Sequence, residues 1–314
     1  MAVFSSTISQ MIFLMILIAV GFILVRTNLI PHSTAGVLSK LESYIFIPAS
    51  VLGTFMTQFT TEKLSSAGGF FISGGVFVAI IAPISILIAK LCTKDTYLRK
   101  IYIYGLTFSN FGFMGYAIVS ALYPEVYMNY LIFVLCFWIM IYVWGIPYLL
   151  LPDNAEKHGI LAGLKKLVNP MFIAMLIGIV FGLTGLAVPS FATTAVNSLG
   201  NCMSPIAMLL TGMTVAEIDL KVTFKKVPIY VISIIKLVLF PLLGLAVLLF
   251  LPLSNEIKLC IICALAMPLG LNTIVIPAGY GKDTSIAAGL ALVSHLLSCI
   301  TIPLVFLLFN TIIK

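Results

Sequence analysis

The chain has 314 residues, 61% of them hydrophobic and 9% charged, with a mean hydropathy of +1.21 and a net charge of +7. A soluble domain carries about 45–50% apolar and about 25% charged residues, so 17 basic and 10 acidic side chains cannot clothe a globular surface. This composition excludes a soluble enzyme, a nucleic-acid module and a disordered chain, and it makes lipid the main solvent.

In chain order, continuous apolar runs lie near 8–26, 38–58, 68–91, 100–122 and 129–151. A polar stretch follows at 152–168, and five more runs lie near 169–187, 194–215, 226–251, 257–279 and 284–310. A spanning helix needs about 20 apolar residues. Continuous rather than alternating runs disfavour a β-barrel. The first run, Ile8 to Val25, lacks the basic flank of a secretion signal and is long enough to span. The expected fold is an all-α integral membrane protein with ten transmembrane helices. Residues 1–151 form a first five-helix repeat, 152–168 a cytoplasmic linker, and 169–314 a second, inverted five-helix repeat.

With ten spans both termini share one side, which holds Lys63, Lys258 and Lys314. Thirteen basic residues, from Arg26 to Lys282, fall on the other. Cytoplasmic loops collect Lys and Arg, so both termini are expected outside the cytoplasm. No basic cluster is interleaved with aromatics, so the positive charge points to loops and not to a nucleic-acid partner.

The halves repeat. Pro31, Pro48, Pro83 and Pro147 recur as Pro189, Pro205, Pro241 and Pro303, at offsets of 156 to 158 residues. Ala121 and Tyr123 recur as Ala278 and Tyr280 in the same register. Five helices per half is an odd number, so the second half enters the membrane from the opposite face. Many secondary transporters are built this way, with substrate bound where paired broken helices cross.

The fourth and ninth runs carry the break signals. The fourth holds Asn110, Gly112 and Gly115, and the ninth holds Pro268 and Asn272. Proline removes a backbone donor and glycine loosens a helix, while helix N-termini carry partial positive charge. Asn110 and Asn272 add amide donors, so the crossing suits a carboxylate; the plainer alternative is two ordinary kinks.

These residues also carry a resemblance. Asn110-x-x-x-Met114-Gly115, Pro268-x-x-x-Asn272, Ala278-x-Tyr280-Gly281-x-Asp283 and Ile302-Pro303 resemble motifs of the auxin efflux carrier family, whose bacterial members include malate and other organic-acid permeases. The likeness covers nearly the whole chain. It implies a scaffold and a transport domain, and elevator-like movement of organic anions. The family's proline after Met-Gly-x is Ala117 here, so the first crossing helix is expected to break only at Gly112 and Gly115. The short 152–168 stretch matches bacterial members, since plant members carry a long central loop.

Lys236 lies inside the eighth run, where a charge usually marks function. It either serves the substrate or snorkels to the interface. His295 is the one histidine within a run, a candidate proton relay or a packed neutral ring. Glu42 reads as interfacial, so no carboxylate is expected deep in the membrane. A cation–proton antiporter needs such carboxylates, so an organic anion is the expected cargo. Cys260-x-x-Cys263 lacks a second pair and reads as packing, with no metal or cofactor expected. Gly178-x-x-x-Gly182 reads as close helix packing, with a homodimer as the alternative use.

The expected function is a secondary carrier for a small organic anion such as malate, not an enzyme, with protons as the candidate coupling ion. An auxin-like hydrophobic carboxylate exporter is the alternative. A channel and a non-transporting receptor are the remaining rivals.

Overall fold

The computed structural model describes residues 2–31, 33–152, 165, 168–216 and 226–313. Most of the expected linker, with Lys157 and Lys166, lies outside the described residues, as do Lys221, Lys225 and Lys314. Among the described residues the fold is all helical, with no β-strand.

The helical segments are α1 (Ala2–Arg26), α2 (Thr34–Gln58), α3 (Thr61–Cys92), α4 (Thr96–Thr107), α5 (Phe111–Leu122) and α6 (Pro124–Leu150). After the linker come α7 (Pro170–Thr184), α8 (Ser190–Ala216), α9 (Val227–Phe250), α10 (Asn255–Ala266), α11 (Asn272–Gly279) and α12 (Ser285–Ile312). Side-chain caps start three of them. Asp95 accepts from the Leu98 N–H, Asn169 from Phe172 and Ser254 from Ile257, satisfying donors that a helix start leaves orphaned.

Among the described residues, six segments are long and apolar enough to cross a membrane: α2, α3, α6, α8, α9 and α12. Four expected spans differ in form. The fourth run is divided into α4 and α5, and the ninth into α10 and α11. The sixth is a 15-residue helix, α7. In α1 the qualifying apolar stretch is Ile12–Arg26.

Prolines shape the long helices. Wide, π-type turns occur at Glu42–Phe46, Ile141–Leu150 and Ile235–Leu239, ahead of Pro48, around Pro147 and ahead of Pro241. Each proline lacks an N–H and crowds the carbonyl a turn earlier, which a wider turn relieves.

Glycines set the closest packing. A side chain at Gly21 would run into the Leu209 carbonyl, and one at Gly212 into the Ile18 carbonyl, so α1 and α8 touch backbone to backbone. Gly178 and Gly182 of α7 press likewise on α2 at Phe55 and Phe59. The Gly178/Gly182 pair therefore packs within the chain. α1, α2, α7 and α8 thus form one packed group, while α3 packs on α4 and α6, and α9 on α10 and α12. Outward faces are apolar, with Ile72, Ile80, Leu87 and Leu91 of α3 exposed, as a lipid solvent requires.

One expectation is corrected. Glu42 is not interfacial: it is fully buried, and neither carboxylate oxygen has a hydrogen-bond partner. It opens the wide turn of α2, which packs against α7 and α8. An extra residue in a turn changes the face that a side chain presents, and a uniform helical period misses this.

Candidate functional site

The two broken runs meet at their breaks. α4 ends at Thr107 and α10 at Ala266, and the intervening strands of backbone pair antiparallel at Ser109 and Leu269. The Asn110 N–H donates to the Pro268 carbonyl at 2.7 Å. The first break falls at 108–110, ahead of Gly112 and Gly115, where it was expected. The reason is that the pairing partner, the Pro268–Gly270 backbone, fixes the point of rupture, and Phe111–Gly115 continues as a wide turn. The absent family proline at Ala117 is thus not needed for a break.

Four helix ends converge here, and their charges are handled differently. The C-terminal ends of α4 and α10 carry partial negative charge. The Lys236 ammonium donates to the Leu106 carbonyl of α4 at 3.4 Å, and the Ser109 hydroxyl donates to the Ala264 carbonyl of α10 at 2.8 Å. The N-terminal ends of α5 and α11 carry partial positive charge. Each negative end thus has a donor set against it, and the positive ends of α5 and α11 are left for a ligand.

The two asparagines are held by partners distant in sequence. The Ala291 carbonyl can only accept, so the His295 Nδ1 at 2.7 Å carries its hydrogen. The neutral ring then accepts from the Asn110 amide at Nε2, at 3.0 Å. Asn272 donates to the Tyr104 hydroxyl at 2.9 Å. Ser294 accepts from the Leu269 N–H at 3.2 Å and ties the second break to α12.

Asn110, Gly112 and Asn272 line one cavity of about 770 Å³. Its walls are largely aromatic and aliphatic, with Tyr104, Phe108, Phe111, Phe113, Trp138, Tyr142 and Ile274. Its mouth lies beside the start of α2, at Ser33 to Ser43, and Lys40 is the charged side chain on its lining. Four other expected site residues, His295 among them, sit outside the lining. Gly115 packs against the Tyr130 hydroxyl, Pro268 serves the crossing, and Lys236 caps α4. Lys236 is 1% exposed, so it does not snorkel. His295 faces Asn110 with both ring nitrogens engaged.

Sequence reasoning did not single out Tyr104, Ser109, Lys40 and Trp138. Tyr104 and Ser109 flank the break and carried only proximity to Asn110 as a signal. Lys40 was counted with the loop charges. A smaller cavity of about 240 Å³ lies at the other end of α2, lined by Ser50, Thr54, Thr57, Tyr127 and Asn197. Cys260 and Cys263 are free and buried in α10. Outside the spanning helices, Asp283 accepts from the Ser285 N–H and hydroxyl, which with Lys226 lowers its carboxyl below the usual range.

A family model described as "Membrane transport protein" matches residues 6–306. No curated protein sequence matches the chain.

Proposed function

The chain belongs to the membrane transport protein family, the auxin efflux carriers, and from that premise we propose that it carries a small organic anion across a bacterial-type plasma membrane by alternating access. The family is one of transporters and not of enzymes. The observation that carries the anion reading is the crossing itself: two positive helix ends and two oriented amides face the cavity, while Lys236 and Ser109 quench the negative ends. A carboxylate of the substrate takes the place of the water these donors would otherwise need.

The cavity wall narrows the substrate class. Aromatic and aliphatic side chains dominate it, and Lys40 is its charged member. A monocarboxylate with an apolar or aromatic body buries its bulk against that wall. Malate would leave a second carboxylate and a hydroxyl to desolvate there, which costs several kcal/mol unless paired. The lining thus favours the hydrophobic carboxylate over malate.

The architecture in this reading is ten helices in two inverted repeats. The recurring prolines support it, and so do Gly21 and Gly178, which stand 157 positions apart and each press on a helix of the other half. α1, α2, α7 and α8 act as scaffold, and the remaining helices carry the crossing in an elevator-like motion. The positive-inside rule places the Lys40 mouth in the cytoplasm, so the described conformation is open inward. The smaller cavity marks the outer path. The scaffold's outer face offers a surface for a homodimer.

The test is competition. Purified protein in liposomes is loaded with unlabelled acid, and counterflow of a labelled aryl monocarboxylate is challenged with a panel of mono- and dicarboxylates. Stronger competition by apolar monocarboxylates than by malate is expected. Preference for malate would overturn the substrate class and leave the carrier standing.

A further inference from the structure

Glu42 is the described carboxylate with no exposed surface, and neither of its oxygens has a hydrogen-bond partner. It sits on α2 between Lys40 and Ser43, which line the larger cavity, about two turns before Ala49 and Ser50, which line the smaller. It opens one of the wide helical turns, a feature frequent at functional positions. Among the described residues, the helices packed on this turn offer no cation. Among described residues α7 has no titratable side chain, and α8 has only Cys202, which is exposed. From α6, Tyr127 is the ionisable group within electrostatic range, and its hydroxyl is shared between Ser50 and the Met203 sulfur. On α2 itself Lys40 and Tyr44 are exposed.

An ionised carboxylate in such a place is prohibitively costly, whereas its protonated form is neutral. We propose that Glu42 is a proton-binding site, neutral in the inward-open conformation and ionised in the outward-open one, which couples transport to the proton gradient. The step is simple in balance: the carboxylate takes up one proton from water as the chain enters the described conformation and returns one proton to water as it leaves it. A group that binds a proton in one conformation and releases it in the other makes the conformational equilibrium depend on pH, by up to about tenfold per pH unit for one proton. Acid favours the conformation described here and alkali the other. The coupling rests on the carrier reading above; the proton site does not.

Two readouts in the same proteoliposomes separate them. Infrared spectroscopy of the full chain at neutral pH needs no substrate. The carbonyl band of a protonated carboxyl is expected in the wild type and absent in Glu42→Gln. Counterflow of a labelled carboxylate is then measured across pH. The wild-type rate is expected to change by up to about tenfold per unit, and that of Glu42→Gln by less than about twofold. Should Glu42→Gln not insert, Glu42→Asp keeps a carboxyl and is expected to shift the band. A wild type without the band, or a Glu42→Gln protein with the wild-type pH profile, would overturn the proposal. If no carboxylate gives counterflow, the carrier reading falls, and the band alone decides whether Glu42 holds a proton.

Discussion

Lys236 directs its charge at a helix end. Its ammonium reaches the Leu106 carbonyl and stands 5.8 Å from the Phe240 ring. A charge at a partly buried helix end is worth up to about 2 kcal/mol. Lys236→Met is therefore expected to raise the half-saturation constant for an anion about tenfold, the equivalent of about 1.4 kcal/mol. Lys236→Arg keeps the charge and most of the affinity; an unaltered constant in Lys236→Met would show that the α4 end does not reach the substrate. His295 acts through Asn110, so His295→Leu frees that amide and is expected to weaken affinity severalfold, about 1 kcal/mol for one hydrogen bond. His295→Gln, which can still accept at that position, is expected to recover part of it. A wild-type constant in His295→Leu would contradict the positioning role. At this scale Asn110 and Asn272 were legible, because polar residues beside Gly and Pro stand out in an apolar run. Their holders were not, since His295 is 185 residues from Asn110 and Tyr104 is 168 from Asn272.

Among the elements, both breaks were legible as composition, and the first was misplaced in position. The first falls at 108–110 because it pairs with backbone around Pro268, which no single run encodes. The wide turns were hidden for a related reason. Prolines were visible, yet only the folded helix shows that relief comes as an extra residue in the turn, and with it the inward face of Glu42. Close packing was legible in the small residues of α7, where Gly178 and Gly182 meet α2. The same logic gives a stability prediction for α1 and α8. Gly212→Val drives a branched side chain into the Ile18 carbonyl, and overpacking costs about 1–3 kcal/mol or more. Its unfolding midpoint in detergent is expected to fall by several degrees, with Gly36→Ala, which meets open space, as the neutral control. Equal midpoints would contradict the backbone contact.

For the whole molecule, composition alone announced a multi-pass membrane protein, and the constant register of four prolines is what supports the proposed repeat. What sequence could not supply was the grouping of helices, because α1, α2, α7 and α8 come from both halves and meet only in three dimensions. The proposed orientation rests on loop charge. A tag at either terminus is expected to react with an impermeant label in intact cells, and protection of both would reverse the inward assignment of the Lys40 mouth. The central claim is that the crossing of α4–α5 with α10–α11 binds a carboxylate that is then carried. Counterflow of labelled carboxylate in liposomes, comparing wild type with Asn272→Ala shown to insert normally, tests it most directly. Saturable counterflow in the wild type and its loss in Asn272→Ala is the result this account predicts. Undiminished, saturable flux in Asn272→Ala would contradict it.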